Sequence, residues 1–191
     1  MNTAAELSRY LIAAMWLTWL AIWMAASLGV KRTRVPEPWQ SAFYNRAPVV
    51  IGTAMLVAPQ WLPPVLAWRF LSGAGPPALG TALVFAGLAL SMWARWHLGR
   101  NWSSAVVVKE GHTLTRSGPY RLVRHPIYSG MVLALFATAL AIGETRGFIG
   151  AGLILFGFVL KLQAEEERMR ETFPEYDDYA RHTARLIPGV Y

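Results

Sequence analysis

The 191-residue chain contains no cysteine, which excludes disulfides, thiolate metal sites and a cysteine nucleophile and leaves the redox compartment unreadable. Histidine is scarce, with 4 residues at positions 97, 112, 125 and 182. They form no ligand cluster and no His-x-x-Glu-His type motif, so no metal centre is expected. No Gly-x-Gly-x-x-Gly follows a strand, no Gly-Lys-Ser/Thr occurs and no nucleophile elbow is present, which argues against dinucleotide-loop, phosphate-loop and α/β-hydrolase chemistry. Charge is also in short supply: 15% of residues are charged against 54% hydrophobic, with 9 Trp and a mean hydropathy of +0.32. That balance is too apolar for an ordinary soluble domain and points to an integral membrane protein. The formal charge of +7 and pI of 10.1 would suggest nucleic acid as a partner of a soluble protein. Here the basic residues flank apolar runs, as membrane orientation requires, and no nucleic-acid partner is expected.

Hydrophobic runs supply five expected spans in an all-α, polytopic membrane protein. The first covers Tyr10 to Val30, about the length needed to cross a bilayer core. A cleaved signal peptide is the competing reading; the run is long for one, and only Glu6 and Arg9 precede it instead of a basic leader. Lys31, Arg32 and Arg34 stop the run. A second span is expected from Ala47 to Leu66, its end blurred by Pro59, Pro63 and Pro64. Ala78 to Trp96, Pro126 to Ile142 and Gly147 to Leu162 complete the set. With the N-terminus outside, one side of the membrane collects Lys31, Arg32, Arg34, Arg46, Arg95, Arg100, Lys109, Arg116, Arg121, Arg124, Lys161, Arg168, Arg170, Arg181 and Arg185. The other side keeps only Arg9, Arg69 and Arg146. This asymmetry supports five spans and a cytoplasmic location for the third connection and the tail.

The fourth and fifth spans are joined so tightly that they must form an antiparallel hairpin. Gly143, Gly147 and Ala151 give that hairpin small residues at four-residue spacing for close packing. Past Leu162 the sequence turns polar without a helix breaker until Pro174, so the fifth span should continue as a cytoplasmic helix. Met169 and Phe173 give the extension an apolar stripe, and a second short helix should place Tyr176, Tyr179 and Ala180 on one side.

Reactive groups concentrate between Gly111 and Gly130, GHTLTRSGPYRLVRHPIYSG. Proline in Arg124-His125-Pro126 suits the first turn of a helix and pushes its predecessor out of the α region, so His125 is expected at a helix entrance that favours an anion. The hairpin brings His125, Tyr120 and Tyr128 to the same end as Glu165 and Glu166, some forty positions away, around one cytoplasmic pocket for a polar and an apolar ligand. Bland alternatives stand beside each: tyrosines as interfacial anchors, His125 as a headgroup contact, and Glu165 to Glu167 as a solvated run paired with Arg168 and Arg170.

The ordered set Gly99-Arg100-Asn101-Trp102-Ser103, His112-Thr113-Leu114, Gly118-Pro119-Tyr120-Arg121, Arg124-His125-Pro126-Ile127-Tyr128-Ser129-Gly130, then Glu165-Glu166-x-x-Met169, Phe173-Pro174-x-Tyr176-x-x-Tyr179 and Arg185-Leu186-Ile187-Pro188 resembles the isoprenylcysteine carboxyl methyltransferase family and its prokaryotic relatives. The resemblance divides the chain into a three-span scaffold at 1–97 and a catalytic core at 98–191. It implies an S-adenosylmethionine-dependent integral membrane methyltransferase without a soluble Rossmann-type domain. On that resemblance the cofactor pocket falls on His112, Thr113, Leu114, Thr115, Tyr120, His125, Tyr128, Glu165 and Glu166. Lys161 stands where eukaryotic members carry an arginine proposed to face the substrate carboxylate, which argues against a prenylated protein as acceptor. Arg185 and Arg124 are candidate replacements, and Glu166 is the nearest base for an amine or phenol acceptor.

The implied acceptor is a lipidic or amphipathic molecule taken from the membrane, either a carboxylate or a phospholipid-type amine. Two readings compete. Membrane sterol and steroid reductases also resemble the Arg-His-Pro-x-Tyr region and would bind NADPH; a non-enzymatic membrane scaffold leaves the polar pocket unexplained.

Overall fold

The computed structural model describes residues 3–27, 39–57, 62–99 and 114–190, with the backbone alone at 3, 4 and 39–42. Apart from two short 3-10 turns, six helices account for the regular structure among them: α1 (Thr3–Ser27), α2 (Trp39–Val57), α3 (Gly75–Leu98), α4 (Pro126–Ile142), α5 (Thr145–Thr172) and α6 (Tyr176–His182). Isolated bridges, Arg69 to Glu144 and Val123 to Ala184, are the sole β pairing among the described residues. The all-α expectation holds. Three helices, α1 from Ala5, α3 and α5, are long and apolar enough to span a membrane. The fourth, α4, is apolar but only 17 residues long. α2 carries Asn45, Arg46 and Pro48 within its length.

α4 occupies the expected Pro126–Ile142, and α5 includes both the expected span and its polar continuation. At 28 residues α5 is about 42 Å long, more than the roughly 30 Å of a hydrocarbon core, so one end projects beyond it. The second span needs correction. The expected Ala47 to Leu66 is displaced to Trp39–Val57, with a separate 3-10 turn at Pro64–Ala67. Asn45 and Arg46, just ahead of the expected start at Ala47, lie inside the helix, and Pro48 sits in its interior. Proline there forfeits one backbone hydrogen bond. Tertiary contact holds the segment helical nonetheless: a Cβ added at Gly157 of α5 would lie 2.7 Å from the Asn45 carbonyl oxygen and 3.6 Å from Pro48.

Glycines set the helix seams. A Cβ on Gly87 of α3 would come within 2.5 Å of the Gly130 oxygen, and one on Gly130 within 2.4 Å of the Gly87 oxygen. α3 and α4 thus meet backbone to backbone, the small-residue packing that membrane helices favour. Gly52 of α2 and Gly150 of α5 make the same approach, with 2.4 Å from the added Cβ to the Gly150 oxygen. Between α4 and α5, Gly147 faces Ala139, as the expected small-residue face requires. Gly143 serves the chain reversal instead, because at φ 69° it ends α4 in the left-handed region, which glycine adopts without steric cost. α1 lies against this assembly through Trp16, which donates to the Thr138 hydroxyl at 3.0 Å, and Trp19, which donates to Ser91 at 3.2 Å. Its opposite face, including Leu7, Leu11, Leu17, Leu20 and Met24, is exposed apolar surface suited to lipid.

The α4–α5 turn is closed by charge. Glu144 accepts from Arg69 and from Arg146, each at 2.7 Å. Arg146 also donates to the Met55 and Leu56 carbonyls at 2.7 and 2.9 Å. These belong to the last turn of α2, where carbonyls lack intrahelical partners.

Candidate active site

At the other end of α4, His125 precedes the helix with φ −126° and ψ 59°, and Pro126 occupies the first turn. The expectation of a histidine at a helix entrance is met. Ser129 closes the turn through its N–H to the His125 carbonyl at 3.0 Å. Upstream, Gly118–Arg121 forms a 3-10 turn in which Pro119 and Tyr120 are buried. Gly118, at φ 58°, lies so close to His97 that an added Cβ would sit 2.6 Å from the ring. His97 also pairs with the Ser117 hydroxyl at 2.9 Å, so this histidine supports the loop, a role its sequence position does not announce.

The tail is sewn to this entrance. The Arg124 and His125 amides donate to the Ala184 and Arg185 carbonyls at 2.8 and 3.1 Å. Ser129 Oγ donates to the Leu186 carbonyl at 2.6 Å, and Arg124 Nη1 donates to the carbonyls of Ala180 and Thr183. Tyr179 donates its hydroxyl to the Tyr120 carbonyl. α6 turns its apolar face inward as expected: Phe173, Tyr176 and Tyr179 are buried with Met169, Ala180 and Leu114. Burial, first of all, pushes the Tyr179 phenol up to about 12 and moves Tyr120 and Tyr176 higher as well. All three therefore stay protonated at neutral pH and can act as donors. The Tyr176 hydroxyl is buried and finds no hydrogen-bond partner among the described residues.

Glu165 and Glu166, adjacent in sequence, have opposite surroundings because one helical step turns them about 100° apart. Glu166 is fully buried. Its Oε1 accepts from Arg124 Nε at 2.9 Å, Arg185 Nε at 3.1 Å and His125 Nε2 at 3.1 Å. Its Oε2 accepts from Arg185 Nη2 at 2.8 Å and more distantly from Arg170 at 3.5 Å. Arg185 thus grips the carboxylate with two donors, the strong geometry for this pair. Glu165 is 19% exposed in its side chain and accepts from the Tyr128 hydroxyl at 2.9 Å. Lys161 Nζ and His125 Nδ1 approach it at 3.8 Å each. Lys161 also lies 5.8 Å from the centre of the Tyr128 ring, which meets Phe158 edge-on.

The structure therefore brings together His125, Tyr128, Lys161, Glu165, Glu166 and Arg185. Tyr120 joins the cluster indirectly, through the tail. Leu114 and Thr115 are half-buried and border α6: Leu114 packs in its apolar cluster, while the neighbouring Arg116 donates to the Glu175 carbonyl at 3.0 Å. His112 and Thr113 lie outside the described residues. Arg124 and Arg170 gain roles as Glu166 partners; only Arg170, four residues from Glu166 on one helix, carried a sequence signal for this. Among the described residues no group of acidic and histidine side chains could hold a metal ion.

Residues 77–176, just over half the chain and including most of α3 and all of α4 and α5, match the model of the family described as phospholipid methyltransferase. The chain belongs to this family. It is also 28% identical over 116 residues to a probable protein-S-isoprenylcysteine O-methyltransferase of Oryza sativa subsp. japonica, covering 59% of this chain and 61% of the relative. The nickel-cobalt-cadmium resistance protein NccN of Alcaligenes xylosoxydans xylosoxydans is 30% identical over 99 residues, 49% of this chain and 45% of that protein. The cobalt-zinc-cadmium resistance protein CzcN of Cupriavidus metallidurans is likewise 30% identical over 98 residues, 49% and 44% of the two chains. The chain thus spans about half the length of these two resistance proteins. Family membership and the apolar helices together make this a membrane protein of a methyltransferase family, in accord with the resemblance noted in its motifs.

Proposed function

We propose that the protein is an S-adenosylmethionine-dependent methyltransferase acting on a lipidic or amphipathic acceptor drawn from the surrounding membrane. The observation that carries the reading is the partly buried group on one face of α5 and the start of α4: Glu165, Tyr128, His125 and Lys161, within a family of methyltransferases. A sulfonium donor supplies an electrophilic methyl group and a positive charge. The residues fit such a group, because Glu165 is an anion and Tyr128 offers an aromatic face, both attractive to a cation.

The outward amides of the first turn of α4 would receive the donor's carboxylate beside the His125 ring, whose Nδ1 must carry a second proton to donate to it. Glu165 would accept from ribose hydroxyls or the amino group. The loop of His112, Thr113, Leu114 and Thr115 would hold the adenine, with Tyr120 and Tyr128 as walls. Lys161, 28% exposed, is the cation that would face the acceptor. A carboxylate nucleophile needs no base, so alignment and exclusion of water are the protein's main contributions. An amine acceptor needs one, and partly exposed Glu165 is better disposed than Glu166, whose oxygens already accept from Arg124, Arg185 and His125. We further propose an inner-membrane location with the N-terminus outside and this site facing the cytoplasm, on the distribution of Lys and Arg.

Calorimetric titration of the detergent-solubilised protein with S-adenosylhomocysteine and NADPH in parallel tests the reading. Saturable binding of S-adenosylhomocysteine alone is expected. Binding of NADPH alone would transfer the protein to hydride chemistry, and binding of neither by folded protein would favour a scaffold.

A further inference from the structure

Glu166 is fully buried, yet it has more cationic partners than any other described carboxylate. Two of them anchor different pieces of chain. Arg124 belongs to the segment that enters α4, and its other donors hold the Ala180 and Thr183 carbonyls. Arg185 belongs to the tail, and its own carbonyl accepts from the His125 amide at 3.1 Å. The third partner, His125, receives Glu166 on Nε2 and turns Nδ1 towards Glu165 at 3.8 Å. A carboxylate only accepts, so Nε2 carries the proton in this contact. The same contact fixes the ring's orientation about its outer bonds.

We propose that Glu166 is a positioning residue: its buried carboxylate joins α5, the α4 entrance and the tail, and aims the His125 ring at the donor without touching the donor itself. This rests on the methyltransferase reading for the identity of the donor. Three features support it. Both oxygens of Glu166 accept from protein cations, leaving it ill-suited to ribose hydroxyls. Arg185 is engaged side-on with Glu166, so its charge is directed inward and not towards an acceptor. The tail meets the entrance through backbone bonds at Arg124 and His125, the two residues whose side chains Glu166 receives. A displacement of the carboxylate is therefore expected to move the ring and the tail together.

The test is a cycle of Glu166→Gln, His125→Gln and the double variant, read by the affinity for S-adenosylhomocysteine and by the ¹⁵N shifts of histidine-labelled protein. The 4 histidines make assignment of His125 by difference direct. If Glu166 acts through His125, each single variant loses about tenfold in affinity and the double variant loses no more than His125→Gln alone, since residues acting as one unit are not additive. The His125 ring resonances shift in Glu166→Gln. Additive losses would overturn the proposal by making Glu166 a direct donor contact, and so would unchanged His125 resonances in a folded Glu166→Gln protein.

Glu166→Gln leaves the partly buried Arg124 and Arg185 guanidinium groups short of an anion and can fail to fold. Arg124→Lys keeps the charge and loses the fork that reaches both Glu166 and the tail. The expected result is a severalfold loss of S-adenosylhomocysteine affinity with shifted His125 resonances; unchanged affinity and resonances would overturn the proposal. Wild-type protein that binds no S-adenosylhomocysteine would instead refute the methyltransferase reading, while the histidine spectra would still report whether Glu166 sets the ring.

Discussion

At the α4–α5 turn, Glu144 meets Arg69 and Arg146 through one oxygen each, and Arg146 turns Nη1 to the end of α2. At the opposite end of α4, two glutamates meet Arg124, Arg170, Arg185, Lys161 and His125. The first arrangement is complete: its buried charges are matched and its extra donors cap backbone carbonyls. The second is lopsided. Glu166 is saturated, while Glu165 has one hydrogen bond from Tyr128 and cations no closer than 3.8 Å. A bundle needs one such closure to hold a turn; acceptor capacity left beside exposed side chains at the other end is what a ligand can use.

The largest effect should come from breaking the complete end. Arg146→Met removes a buried ion pair and two carbonyl bonds, although Glu144 keeps Arg69. A loss of about 2 kcal/mol in stability is expected from such a deletion, in line with buried charged hydrogen bonds. Affinity for S-adenosylhomocysteine should stay within about twofold of wild type, as expected for sites at opposite ends of a helix. Thermal unfolding in detergent and calorimetry on the same sample would decide. A large fall in affinity at unchanged stability would abolish the distinction between the ends.

Glu165→Gln tests the lopsided end. The amide keeps the shape, the Tyr128 contact and much of the packing, but loses the anion. We expect about tenfold weaker S-adenosylhomocysteine binding, roughly 1.4 kcal/mol, with little change in the unfolding temperature. Lower stability with full affinity would make Glu165 a structural partner like Glu144.

Much of this contrast is legible in the sequence, and the illegible part has a physical cause. His125-Pro126 marks the start of α4, Gly143 its end, and the run past Leu162 to Phe173-Pro174 the long α5, because proline and glycine act locally. The hairpin then forces His125 and Tyr128 towards Glu165 and Glu166. What no local signal carries is the division of labour between the two glutamates. That depends on Arg124 and Arg185, 61 positions apart, converging on one buried carboxylate through the tail. The boundaries of α2 were hidden for a related reason: Asn45 and Arg46 are polar residues ahead of the expected start at Ala47, whereas packing of Asn45 and Pro48 against Gly157 carries the helix through them.

Lys161→Met gives the smallest and most selective effect. Lys161 is the most exposed of the cations around Glu165, lying one helical turn before it and over the Tyr128 ring. A partly exposed pair at 3.8 Å, beyond hydrogen-bond reach, contributes little to stability, on the order of 0.5 kcal/mol or less, so the fold should not register the change. Methionine preserves the apolar stem against Tyr128 and removes only the charge. If Lys161 faces the acceptor, S-adenosylhomocysteine affinity should remain within about twofold while the KM for an anionic amphiphile rises about threefold, less than 1 kcal/mol. Labelled methyl transfer to vesicles containing a fatty-acid carboxylate, against vesicles of phosphatidylethanolamine, measures this directly. A rise confined to the carboxylate acceptor would identify Lys161 as its counter-ion. Weakened donor binding would place the charge on the Glu165 side, and the lopsided end would then serve one ligand instead of two.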